Sequence, residues 1–344
     1  MKKAHVVSPL LLIVCSALAC SDSPVGSGEI VEPSTHPILF SSNRTTGVFT
    51  PMEIYKAKVD GTDTVNLTRN AADDIDGAWS PNGRLVAFAS NRSGNYDIFT
   101  MNDDGSGIRQ LTNDPADDTQ PRWSPDGSRI VFKSRKDGSK IGQRTVLSAD
   151  LFVMNADGTN GVHLTTTSQS EEGSPAWSPD GKKILYARQD FNDAAESLGT
   201  RLFTINPDGT GTTPFLLAGS DFGAGAAAWS PDGTRVAVAA FYNKHREFFS
   251  QTVLVVANAD GSNVTPLTPL NSNLLFNNPA WSADGTRILF SMLDNAESWG
   301  RVGGGDDYDL GVINADGTGF TNLTPERAPD NLDVLVGGPQ AWRK

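Results

Sequence analysis

The side chains able to do covalent or metal chemistry are few, and their spacing argues against a catalytic centre. Four histidines occur in 344 residues. His5 sits at the extreme N-terminus and His36 in a Pro- and Ser-rich stretch, so only His163 and His245 fall within the patterned part of the chain. Two histidines in separate repeats cannot build a three-histidine metal site. His163 reads as a solvated strand residue, and His245, in the loop YNKHREFFSQT, as the better candidate for a ligand contact. The chain has no Gly-x-Ser-x-Gly sequence, which removes the nucleophile elbow of hydrolases. Carboxylates cluster at Asp73, Asp74 and Asp76, at Asp117 and Asp118, and at Asp306 and Asp307. Calcium loops need alternating oxygen ligands that end in a bidentate acid. The recurring Asn-x-Asp-Gly turns offer two side chains each, and turn geometry already accounts for both. The repeated acids read as caps on loops that enter strands. Neither metal nor cofactor is expected, and no catalytic residues are assigned.

Groups suited to binding are better represented. Phe241, Tyr242, His245, Arg246, Phe248 and Phe249 lie in one stretch, and Trp299, Arg301 and Tyr308 in another. Aromatics and arginine are enriched at binding hot spots; the competing reading is that these rings fold back over their own strands. Forty acidic residues against 28 basic give a net charge of −12, which becomes −14 once Lys2 and Lys3 are discounted. A surface this acidic repels phosphates, so nucleic acid is excluded as a partner. The same charge disfavours loose adsorption to anionic lipid.

The elements that would position these residues follow from a repeat. Trp-Ser-Pro-Asp-Gly or a close variant recurs at Trp79, Trp123, Trp177, Trp229 and Trp281, at intervals of 44, 54, 52 and 52 residues, and Trp342 follows 61 residues later. After each turn comes a β-branched and aromatic run, then a variable loop. A second run follows that ends in Asn-x-Asp-Gly, as in DIFTMNDDG from Asp97 and DLFVMNADG from Asp150. A short third run closes on Leu-Thr in most copies. Each unit therefore predicts four short strands, which make one propeller blade. Proline and glycine preset the turns, and the Trp is a structural wedge between blades. Residues 37–68 lack a Trp strand, whereas Gly338–Trp342 is a Trp strand with nothing after it. The fold expected is all-β, a six-bladed propeller over 37–344, closed by the C-terminal strand on the first blade. Loops entering the Trp strands and loops joining the next two strands share one face, and the latter lengthen along the chain. Long loops on a rigid scaffold commonly carry function.

The N-terminus predicts export. Lys2 and Lys3 precede an apolar stretch, Val6 to Leu18, too short to span a bilayer but suited to a signal peptide over 1–19. Both cysteines lie here, so no disulfide staples the mature chain. Ala19-Cys20 resembles the bacterial lipobox, with Ala17 where that pattern has Leu. The resemblance implies lipidation of Cys20, the alternative being ordinary cleavage after Ala17-Leu18-Ala19. Ser21, by the same resemblance, implies sorting to the periplasmic face of the outer membrane. Residues 20–36 form a tether.

The Trp-Ser-Pro-Asp-Gly turns, Ser42-Asn43-Arg44, Ser90-Asn91-Arg92 and the Asn-x-Asp-Gly hairpins together resemble the propeller of TolB and TolB-like proteins with WD-like repeats. The α/β domain that precedes the TolB propeller has no counterpart in the 16 residues after Cys20. What the resemblance implies is a propeller that docks an envelope partner; with the lipobox and the lack of catalytic residues, a monomeric, non-catalytic envelope lipoprotein is expected. Its loop-bearing face would bind an envelope protein or a peptidoglycan-associated partner, and it would meet the membrane only through its lipid. Carbohydrate binding or glycan processing by the same face, through Trp299 and Tyr308, is the alternative.

Overall fold

The computed structural model describes residues 38–43, 51–136, 140–141, 144–145, 148–167, 169–192, 197–218, 222–242, 251–270, 272, 274–294, 308–324 and 334–336. All regular structure in them is β. The chain runs through β1 (Ile38–Ser42), β2 (Glu53–Ala57) and β3 (Val65–Asn66), then β4 (Asp74–Trp79), β5 (Leu85–Ser90), β6 (Asp97–Asn102) and β7 (Arg109–Gln110). Next come β8 (Asp117–Trp123), β9 (Arg129–Lys136), a small hairpin of β10 (Lys140–Ile141) and β11 (Arg144–Thr145), then β12 (Ser148–Asn155) and β13 (Val162–His163). The unit of β14 (Ser170–Trp177), β15 (Ile184–Phe191), β16 (Ser197–Ile205) and β17 (Thr213–Phe215) follows. The last strands are β18 (Phe222–Trp229), β19 (Arg235–Tyr242), β20 (Gln251–Asn258), β21 (Thr265–Pro266), β22 (Leu274–Trp281), β23 (Arg287–Asp294), β24 (Tyr308–Asn314), β25 (Thr321–Asn322) and β26 (Val334–Val336). The strand-forming runs read from sequence are these strands.

Local chemistry dictates the turns. In the Ser124–Arg129 turn the Ser124 hydroxyl donates to Asp126 at 2.5 Å and accepts from the Arg129 amide at 2.9 Å. Gly127 closes it with φ +71°, a left-handed conformation that glycine adopts without strain. Ser80, Ser178, Ser230 and Ser282 accept the same amide five residues on. Sheets stack on both faces, so inner strands carry buried runs rather than an alternating pattern; β1 is buried at every position.

Tryptophan ties consecutive units together. The Trp123 indole donates to the Ala78 carbonyl (3.3 Å), Trp177 to that of Arg122 (3.1 Å) and Trp281 to that of Ala228 (3.0 Å). Each acceptor is the residue before the preceding Trp, so the bond always crosses from one repeat unit to the next, and for Trp123 and Trp281 from one sheet to the next. Trp229 departs: its buried Nε1 has no hydrogen-bond partner among the described residues. Every described Trp strand also carries a bulge two to three residues before the indole, with Asp76, Gln120, Ser174 and Asn278 at positive φ.

Two expectations need correction. Six separate four-stranded blades were expected, and four separate four-stranded sheets are found: β26-β1-β2-β3, β4–β7, β18–β21 and β22–β25. Strands β8, β9, β12, β13 and β14–β17 form one eight-stranded sheet instead. The cause is local: β12 and β14 are eight residues long and meet in a parallel bridge, Ala149 opposite Glu171. Lys133 and Arg135 of β9 both grip the Glu171 carboxylate, at 2.6 and 2.5 Å. The C-terminal strand also differs. The segment beside β1 is β26, with Phe40 opposite Val336 and Ser42 opposite Val334, whereas Gly338–Trp342 lies outside the described residues.

If the indole bond carries weight, Trp281→Phe should destabilise the protein by about 1–2 kcal/mol more than Trp229→Phe, because only the first loses a hydrogen bond between sheets. Urea denaturation at pH 7 measures the difference, and equal costs would contradict it.

Candidate functional site

Loops meet on one face where the description is fullest. Ahead of β4, Asp73 accepts from Met52 N (2.9 Å), and the Asn91 side chain accepts from Asp73 N (2.9 Å). One unit later, Asp117 accepts from Tyr96 N (3.1 Å), and the Asn95 amide donates to the Asp114 and Ala116 carbonyls. The loop entering a Trp strand and the loop from β5 to β6 thus share a face. Two of the acids noticed in sequence, Asp73 and Asp117, hold these loops to one another.

Beneath the face lie buried carboxyls five residues before a Trp: Asp74, Asp118 and Glu172, each 0% exposed. They are handled differently. Arg92 donates twice to Asp74 (2.8 and 3.0 Å), is steadied by Ser90 Oγ, and lies over the Phe88 and Phe99 rings. This explains Ser90-Asn91-Arg92: the serine and arginine neutralise a buried acid while the asparagine ties the loops. At Asp118 no hydrogen bond of good geometry reaches either oxygen among the described residues. Burial raises its carboxyl to about 7, the nearby Ser134 and Thr112 hydroxyls offsetting part of the effect. Glu172 is likewise raised to about 7 by burial.

A second set of acids starts the third strand of its unit. Thr68, Thr165 and Thr324 each accept the amide one residue after the acid and donate to the acid itself, which is Glu53, Asp150 or Asp309. Thr112 does the same with Asp97. This is what the recurring Leu-Thr does, a role the sequence showed only as a pattern. Deeper still, Arg122 is 3% exposed and occupies the position before Trp where Ala78, Ala176, Ala228 and Ala280 stand elsewhere. Burial lowers its pKa to about 10, and the facing Asp76 partly restores it. Asp76 also accepts from Gln120 N (3.2 Å), and Gln120 accepts from Ser174 N (2.7 Å), so bulge residues link three successive Trp strands.

The residues proposed from sequence are placed unevenly. Phe241 is half-buried and lies across β18, its ring 3.2 Å from where a Cβ on Gly225 would sit, so it folds over its own sheet. Tyr242 ends β19 and Tyr308 begins β24. His245, Arg246, Phe248, Phe249, Trp299, Arg301, Asp306 and Asp307, with Cys20, His36 and Trp342, lie outside the described residues. His163 is not simply solvated: it pairs with Asp150 (Nε2–Oδ2 3.0 Å) and stacks on Phe152 at 4.3 Å. The turn acids are committed to their own turns; Ser124 and Ser128 hold Asp126 down to about 2. Among the described residues no group of three or more His, Cys, Asp or Glu could hold a metal ion.

Repeated antiparallel sheets, clasped by tryptophan and bearing their loops on a common face, define an all-β propeller. It is a TolB-like propeller: residues 54–195 match the family model described as the TolB beta propeller domain. Two solved structures are similar to it. TolB from Acinetobacter baumannii is 17% identical with a TM-score of 0.63, over 87% of this chain and 66% of that one, just under two thirds of its length. A putative TolB from Agrobacterium tumefaciens is 16% identical with a TM-score of 0.60, over 89% and 92%. Kuenenia stuttgartiensis hydrazine synthase is also similar in fold, at 16% identity and a TM-score of 0.65, over 90% of this chain and 48% of that one. No curated protein matches the sequence.

Asp118 yields a pH test. Its folded pKa lies above that of a free carboxyl, so its stabilising protonated form is complete below about 4 and lost as pH rises through about 7. Asp118→Asn should leave stability at pH 5 nearly unchanged and raise it at pH 8, as read from urea midpoints. A variant weaker than wild type at pH 8 would contradict this.

Proposed function

We propose that the protein is an exported, lipid-anchored, six-bladed propeller that binds an envelope partner through its loop-bearing face and does no chemistry there. The observation that carries the reading is the gathering of strand-entry and β5–β6 loops on one face by Asp73, Asn91, Asn95 and Asp117. Such a surface rests on sheets clasped at short intervals, which preorganises whatever the longer loops present. The TolB-like fold supports a protein or peptidoglycan-associated partner, located by Cys20 lipidation at the periplasmic face of the outer membrane. Phe241 serves its own sheet, which narrows the contact residues to the tips, with Trp299 and Arg301 foremost.

Six blades follow if the eight-stranded sheet is read as two units joined at Ala149 and Glu171, since each half carries its own Trp turn and Asn-x-Asp-Gly hairpin. Closure is supported by β26, which hydrogen-bonds β1 and also lies against β22 and β4. Removing residues 334–344 should lower the thermal midpoint and expose β1 to exchange. A truncated chain that melts like the intact one would rule closure out.

The functional test is capture from an envelope extract by the immobilised mature chain. Trp299→Ala and Arg301→Ala should each lower recovery of a stoichiometric partner about tenfold, with unchanged melting, as hot-spot truncations do. Release of product from a glycan would overturn the non-enzymatic reading. Unchanged capture in both variants would overturn the site.

A further inference from the structure

The sheet junction at Ala149 and Glu171 is the one place among the described residues where two units share a strand pair. The next residue on each side carries a carboxyl, Asp150 on β12 and Glu172 on β14. Glu172 is wholly buried; Oε1 accepts from Ser170 Oγ (2.8 Å), and Oε2 has no hydrogen-bond partner among the described residues. The groups facing it are Asp150 from β12, Arg188 and Tyr186 from β15, and the Thr167 hydroxyl. Arg188 is drawn away from Glu172: it pairs with Asp190 at 2.9 Å and lies over the Phe203 ring. Asp190 in turn is held by Arg201 at 2.6 Å. On the β9 side the nearby cations, Lys133 and Arg135, are spent on Glu171.

Among the described residues Asp150 has one ionic partner, His163 of β13, with the imidazole held flat on Phe152. In other units this position is an amide: Gln110 donates to Asp97 (2.9 Å) and Asn322 to Asp309 (2.8 Å). At this junction an imidazole stacked on Phe152 stands where those units have an amide.

We propose that the junction is a pH-operated joint between two blades, in which buried Glu172, facing Asp150, tightens the Ala149–Glu171 bridge in acid and loosens it in base. In acid Glu172 holds its proton. In base it ionises against Asp150 inside a closed contact, with Oε2 lacking a hydrogen-bond partner among the described residues. Burial raises Glu172 to about 7, so the stability supplied by its protonated form is complete below the ordinary carboxyl range and lost as pH rises through about 7. Lys133 and Arg135 keep the bridge from parting altogether.

Hydrogen exchange of the full-length chain at pH 6 and pH 8, corrected for intrinsic rates, reads the joint directly. In wild type the opening constant for 148–152 and 170–173 should rise about tenfold relative to the β19–β20 hairpin, the amount a carboxyl at about 7 supplies. Glu172→Gln should remove most of that rise. His163→Gln, which installs the amide of the preceding unit, should keep the rise. A flat wild-type profile, or a full rise in Glu172→Gln, overturns the proposal. If Glu172→Gln does not fold, Asp150→Asn decides: a smaller rise than in wild type supports the proposal, and an undiminished rise sinks it.

Discussion

A buried indole N–H costs free energy unless it finds an acceptor, and in this protein the acceptor belongs to the neighbouring repeat unit. Trp123, Trp177 and Trp281 each donate to the carbonyl of the residue before the previous tryptophan. The spacing of the repeat thereby becomes a spacing of units. Other contacts reinforce the clasp: Arg129 lies over the Trp177 ring at 5.0 Å and Arg235 over Trp281 at 4.7 Å. These are cation–π contacts that again reach from one unit to the next. Loops can vary in length because the sheets beneath them are held in register by groups that the loops do not touch.

Charge is distributed unevenly on this scaffold. Five residues before the tryptophan stand Asp74, Asp118 and Glu172 in successive units, then Ala224 and Phe276. The third-strand position shows the same break, from Glu53, Asp97 and Asp150 to Arg201 and Val253, with Asp309 returning to the acid. One arc of the propeller therefore closes its loop-bearing end with buried carboxyls and hydroxyls. The other closes it with apolar packing, as where Phe276 meets Phe290 edge-on at 5.6 Å. Buried acids make stability depend on pH, whereas apolar contacts do not, so the two arcs respond differently to the same medium.

Much of this was legible in the amino-acid sequence. The Trp-Ser-Pro-Asp-Gly turns located the strands because proline, serine and glycine each fix a local bond or dihedral, independent of what packs around them. At the C-terminus Val334–Val336 pairs with β1, a run without proline, glycine or tryptophan to mark it, while the expected strand Gly338–Trp342 lies outside the described residues. Fusion of two units into one sheet depends on strands that run on into their loops, which no local motif encodes. Arg122 interrupts a column of alanines and Leu-Thr recurs as a pattern, but neither residue type announces its burial or its partner. Phe241 shows the limit of reasoning from composition: a ring suited to a ligand is equally suited to two glycines on the adjacent strand.

Indole N–H exchange followed by nuclear magnetic resonance measures the indole bonds between units one at a time. Trp123, Trp177 and Trp281 should exchange together, at the slow rate set by global unfolding, because none can open without parting two units. Three unequal rates, each far faster than that of the slowest backbone amides, would show that the units separate individually and that the clasp does not hold the propeller together.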